Sequence, residues 1–201
     1  KGVLDWREAV LFTSQILRAL QHAHEKGVIH RDIKPQNIML LNDFRTIKVA
    51  DFGIARFNNM SDTKTMSDGA IGSVHYISPE QAKGELVDNR TDIYSAGVVL
   101  YEMITGQLPF RSDSAVSVAI MQLQKQAVLP RKLNPSIPVG IEQITMRAMQ
   151  KRTSDRYQVA AEMLLHIDEL RRTPNTRFEY DFSGSVSAYQ SRRNSSFASG
   201  A

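Results

Sequence analysis

The chain has 201 residues, is 42% hydrophobic and carries a formal charge of +4, enough apolar content for one substantial core. It has no cysteine, which excludes disulfides and cysteine-zinc sites and suits a reducing cytosol. The basic residues form no long runs, which argues against a nucleic-acid partner. Lys1-Gly2 opens no signal peptide, because no apolar stretch follows it.

Asp5 with Glu8 three residues on predicts a capping box, and a helix running to about Lys26 with Gly27 as its end. Phe12, Ile16, Ala19, Leu20 and Ala23 share one side of it, with Leu17 at the margin. Short β-like runs at Ile38–Leu41 and Thr46–Val49 flank an Asn42-Asp43 turn, predicting a hairpin. Residues 54–78 lack periodicity and read as a long ordered or switchable loop, of a length that is usually functional or disordered. The segment Thr91–Thr105 is apolar all round and predicts a buried helix closed by Gly106. Its apolar centre, Ile93 to Ile104, is shorter than the roughly 20 residues a membrane span needs and contains Glu102.

An amphipathic helix is expected over 113–126, then breaks at Pro130, Pro135 and Pro138. Two more helices are expected, at about Gly140–Met149 and Asp155–Leu170. The second carries the stripe Met163, Leu164, Ile167 and Leu170, and Arg171 and Arg172 complement its dipole. From Thr173 the composition shifts, with seven serines between Ser183 and Ser199. The division expected is one domain over 1–172 and a flexible Ser/Arg-containing tail over 173–201.

The run His30-Arg31-Asp32-Ile33-Lys34-Pro35-Gln36-Asn37, followed after the hairpin by Asp51-Phe52-Gly53, resembles the catalytic and magnesium loops of eukaryotic-type (Hanks-type) serine/threonine protein kinases. Phosphoryl transfer to a hydroxyl needs a carboxylate to orient the hydroxyl and accept its proton, a role that falls to Asp32. Lys34 can reach the transferring phosphate. Asn37 and Asp51 are hard oxygen ligands of the kind that Mg²⁺ takes alongside phosphates and water, Mn²⁺ being the alternative ion. Lone Asp or Asn residues in loops are usually turn caps; here the full octet is joined by a second motif.

The resemblance covers about residues 3–172 and implies a mainly α large lobe with a small β-hairpin. It implies that His30 props Phe52, and that Arg31 receives an activation-segment phosphate, with Thr63 and Thr65 as acceptors and Ser61 and Ser67 as runners-up. Ser73 would bond the catalytic Asp32 and Lys34. Glu80, in Ser78-Pro79-Glu80 where the family usually has Ala-Pro-Glu, would pair with Arg156. Asp92 would hold the catalytic-loop backbone, act as a helix N-cap, or do both. Met39 would form the floor under adenine, with Ile38 and Leu40 facing the core.

Tyr76–Gly84 and Asp88–Ser95 are similar to bacterial membrane-anchored kinases, many of which carry PASTA repeats. On that likeness 173–201 fits a juxtamembrane linker. The kinase domain would lie in the cytoplasm of a membrane-anchored parent, and the fragment itself would be soluble. ATP, Mg²⁺ and proteins bearing Ser or Thr are the implied ligands, with self-association for phosphorylation in trans. Lys34-Pro35 and Ser78–Glu80 distinguish the chain from related small-molecule phosphotransferases.

Only 29 residues precede His30. No Gly-x-Gly-x-x-Gly occurs, nor a Val-Ala-x-Lys strand, and Lys1-Gly2-Val3-Leu4 is expected to begin just beyond the hinge. The small lobe is therefore expected to be absent, the isolated chain poorly active, and apolar surface normally covered by that lobe exposed. The competing reading is a kinase-lobe fragment that docks proteins without transferring phosphate.

Overall fold

The computed structural model describes residues 2–52 and 73–180. The long first helix, α1 (Trp6–Glu25), starts at Asp5, whose side chain accepts from the Arg7 amide. This is a simple cap without the expected reciprocal box. Gly27 adopts φ 72°, the left-handed turn that a side chain disfavours, and ends the helix as expected. Leu17 sits at the centre of the buried face, 0% exposed, while Phe12 lies at its margin; the expected positions of the two are exchanged.

After a 3₁₀ turn at Pro35–Asn37, β1 (Ile38–Leu40) pairs antiparallel with β2 (Ile47–Val49), Met39 opposite Lys48. Asp43 makes the turn by accepting from the Arg45 and Thr46 amides. Gln15 of α1 grips β2 from the side, donating to Arg45 O and accepting from Ile47 N.

Short helix α2 (Pro79–Lys83) precedes α3 (Asn89–Thr105), the buried helix at the centre of the core. Asp88, not Asp92, is the α3 N-cap, accepting from Arg90 N, and Gly106 at φ 69° closes the helix. Glu102, the carboxylate near the C-terminal end of this largely apolar helix, accepts from Tyr76 Oη at 2.6 Å. Burial, with that acceptor beside it, pushes the Tyr76 phenol well above its usual range.

Against α3 pack α1, α5 (Pro130–Leu133), α6 (Val139–Ala148) and α7 (Ala160–Arg172), while α4 (Ala115–Gln124) packs on α2. Gly97 lets α3 and α6 touch: a Cβ there would lie 2.8 Å from Ala148 Cβ. The helix expected from Asp155 begins five residues later, because 153–155 form a 3₁₀ turn and Arg156 and Tyr157 are drawn inward as extended chain. On α7, Met163, Ile167 and Leu170 are buried and Leu164 is half-buried.

Packing continues past the expected boundary at 172. The Gln143 amide accepts from Phe178 N and donates to Phe178 O, both at 2.9 Å, as a strand partner would. Phe178 stacks on His166 at 4.4 Å, and Tyr180 Oη meets Tyr157 Oη at 2.8 Å. A Cβ on Gly140 would lie 2.7 Å from Thr176 O, so this segment is pressed against α6. No described helix is long and apolar enough to cross a membrane.

Candidate active site

The loop from His30 to Asn37 is suspended from α3. Asp92, 0% exposed in the first turn of that helix, accepts from His30 N at 2.8 Å and from Arg31 N at 2.7 Å. Its Oδ2 also takes the His24 ring Nε2 at 2.8 Å. A buried carboxylate is tolerable only when its lone pairs are used, and here three donors use them.

Arg31 adopts φ 66°, a left-handed conformation costing a non-glycine residue about 1 kcal/mol. Both of its backbone groups are held, the amide by Asp92 and the carbonyl by Gln81 Nε2 at 2.8 Å. His30 is fully buried. Its Nδ1 accepts from Asp32 N and its Nε2 donates to Ala50 O, which together fit the Nε2–H tautomer. Its ring centroid lies 4.6 Å from that of Phe52. One imidazole thus ties the His30–Asn37 loop to the Asp51-Phe52 segment.

Above this support the polar side chains converge. Asp32 Oδ2 meets Lys34 Nζ at 2.8 Å, the two side chains being 16% and 15% exposed. Lys34 Nζ also donates to Ser73 Oγ at 2.8 Å. Asn37 is buried and its Nδ2 donates to Asp32 O at 2.8 Å and to Asp32 Oδ2 at 3.2 Å. With its NH₂ committed to Asp32, the Asn37 oxygen is the atom left to meet a metal. Asp51, exposed at φ 56°, follows Ala50, whose amide bonds Asn37 O at 2.8 Å.

The donor set therefore fits a hard cation: one neutral amide oxygen and one exposed carboxylate, few protein ligands, with room for phosphate and water. Among the described residues no cluster of three or more His, Cys, Asp or Glu offers a competing metal site.

Met39, on the strand next to this site, is 50% exposed and suits an apolar floor. Leu40 is 40% exposed, so it does not face the core as expected, whereas Ile38 packs against it. Phe44 at 75% and Val3 at 50% are also exposed.

Behind the site, Glu80 is clamped by Arg156 through two parallel hydrogen bonds of 2.7 Å, the pair being 5% and 1% exposed. Thr91 Oγ1 donates to Glu80 as well, and Arg156 spends its other donors on the carbonyls of Gln150, Arg90 and Lys151. Burial raises the Glu80 pKa, but the Arg156 hydrogen bonds and charge outweigh it and hold the carboxyl below its usual value. Ser78 has a reason of its own to replace alanine: its hydroxyl caps α2 by accepting from Gln81 N. Thr63, Thr65, Ser61 and Ser67 lie outside the described residues.

Three contributors were not singled out from the sequence. His24 stands six residues before His30, and only the fold shows that it reaches Asp92. Thr91 adds a donor to Glu80. Gln81 was legible as the fourth residue of a Ser-x-x-Gln capping box, but its second bond, to Arg31, was not.

Residues 1–180 match the protein kinase domain model. The chain is 43% identical over 175 residues to a probable serine/threonine-protein kinase of Clostridium perfringens, covering 87% of this chain and 25% of that protein. It is 44% identical over 162 residues to the serine/threonine-protein kinase PrkC of Bacillus subtilis, covering 81% and 25%. With PknB of Mycobacterium leprae the identity is 41% over 162 residues, covering 81% and 26%. The chain thus spans about a quarter of the length of these curated relatives. A match of this extent, on a fold that suspends the His30–Asn37 loop from a buried central helix, makes the chain a member of the protein kinase domain family.

Proposed function

We propose that this chain is the large lobe of a serine/threonine protein kinase, transferring the ATP γ-phosphate to Ser or Thr hydroxyls of proteins. The observation that carries the reading is the Asp32–Lys34–Asn37 cluster, in which one carboxylate is oriented by two donors beside the Ser73 hydroxyl. Asp32 accepts the proton of the incoming hydroxyl, and Lys34 offsets charge on the transferring phosphoryl group. Asn37 and Asp51 hold magnesium, which when bound supplies charge neutralisation at the phosphates. Met39 supports the adenine face. Lys34 together with Ser73 favours serine/threonine over tyrosine substrates, by resemblance to the family.

Glycine-rich and lysine-bearing strands are not found in this sequence, so nucleotide is held from one side. Positioning and charge stabilisation both need an enclosed site, and the isolated chain is expected to turn over very slowly. In the parent protein, the activation segment would be phosphorylated on Thr63 or Thr65 and read by Arg31, with copies acting on one another in trans. The parent would be anchored at a membrane with this lobe in the cytoplasm.

Calorimetry of Mg²⁺-ATP binding to the 201-residue chain, beside Asp51→Ala, tests the reading. Binding that the substitution abolishes supports the metal assignment. Binding that survives it removes Asp51 from the site.

A further inference from the structure

We propose that Gln81 is a positioning residue for the catalytic loop, and that the position requires an amide because one side chain serves two segments. This rests on the phosphotransfer reading above. In a capping box the residue at the third helical position returns a hydrogen-bond acceptor to the N-cap amide, and Glu performs that task as well as Gln. Gln81 meets this requirement with Oε1, which accepts from Ser78 N at 3.0 Å, while Ser78 Oγ accepts from Gln81 N. Its other end does something no cap requires: Nε2 donates to Arg31 O at 2.8 Å, across fifty positions of sequence. Only one orientation of the amide satisfies both contacts.

The carbonyl it takes is not an ordinary one. Arg31 is the left-handed residue immediately before Asp32, and its amide is fixed by Asp92. Asp92 and Gln81 therefore hold the two ends of the strained residue from opposite sides, one from α3 and one from α2. The direction in which the chain enters Asp32 depends on both. The same amide links the loop to α2, the helix carrying Glu80. A carboxylate at position 81 would keep the cap and face Arg31 O with an acceptor it cannot bond.

Gln81→Glu separates the two jobs. In the full-length kinase that contains this chain, Gln81→Glu is expected to unfold within about 2 °C of the wild type, since the cap survives. Its kcat is expected to fall about tenfold, the effect of one hydrogen bond lost at a positioned group, with KM for ATP within twofold. Gln81→Leu should lose thermal stability as well, because both bonds go. In parallel, the amide resonance of Asp32 in the 201-residue chain should move in Gln81→Glu while that of Ala82 stays. Wild-type kcat in Gln81→Glu, or an unmoved Asp32 resonance, overturns the proposal. If the wild-type kinase transfers no phosphate, the functional reading fails and the Asp32 resonance alone decides the role of Gln81.

Discussion

The two sides of the catalytic loop are built in opposite ways. Beneath it, Asp92 and His30 are 0% exposed, and their side chains bond the backbone of His30, Arg31, Asp32 and Ala50. Above it, Met39, Leu40 and Phe44 are 50%, 40% and 75% exposed on a hairpin of two three-residue strands. Buried charge and strained backbone survive only where surrounding structure over-determines them. The loop geometry therefore belongs to the helical core, while the hairpin presents an exposed apolar surface. A loop held from beneath and a covered surface above it are separate achievements, and the described residues supply the first.

Substitutions can break this contrast from the buried side. Arg156→Ala should have the largest effect, destabilising by about 3–5 kcal/mol in urea unfolding, because the buried Glu80 loses its countercharge and keeps the Thr91 hydroxyl as a neutral donor. The pair also sets an acid limit. The Glu80 pKa is lower folded than unfolded, so its contribution is complete above the usual carboxylate range and is lost as pH falls through the folded value. Acid unfolding should thus begin at higher pH in Arg156→Ala than in the wild type.

Asp92→Ala comes next, at about 3 kcal/mol, since the His30 and Arg31 amides lose their acceptor. Asp92→Asn should recover part of that loss in the same titration.

Lys151 sharpens the contrast electrostatically. Burial, then the nearby Arg156 charge, lowers its pKa to about 7, and its ammonium meets the Tyr94 hydroxyl and the Phe110 ring. A lysine depressed on folding destabilises the fold below that value, and the penalty fades as pH rises toward its unfolded pKa. Lys151→Met is therefore expected to stabilise by about 1 kcal/mol at pH 6, with the gap closing near pH 10. Calorimetric Tm across that range checks it. On the open face, Met39→Ala should shift stability by no more than about 0.5 kcal/mol.

Much of this was legible in the sequence because it is local or strongly patterned. Thr91–Thr105 is apolar on every face, and a helix of that kind has nowhere to go but the core. The Asp32, Lys34 and Asn37 spacing needs only one loop to bring the three together. Errors arose where tertiary contacts overrode local signals. Asp155 looked like a helix start, yet Arg156 is pulled inward by Glu80 and delays α7 to Ala160. The composition change at Thr173 looked like the end of packing, yet Phe178 and Tyr180 find His166 and Tyr157 on the helix just passed. Asp92 was legible as a support, but Asp88 as the actual cap was decided by which of two carboxylates the loop needed more.

Amide hydrogen exchange in the 201-residue chain tests most directly whether the core alone holds the catalytic loop. The His30 and Arg31 amides, bonded to Asp92, should exchange as slowly as those of α3, near the limit set by global unfolding, while the hairpin amides of Leu41 and Thr46 exchange much faster. Exchange of His30 and Arg31 at the hairpin rate would contradict the account, and would mean that the helical core does not by itself hold the loop.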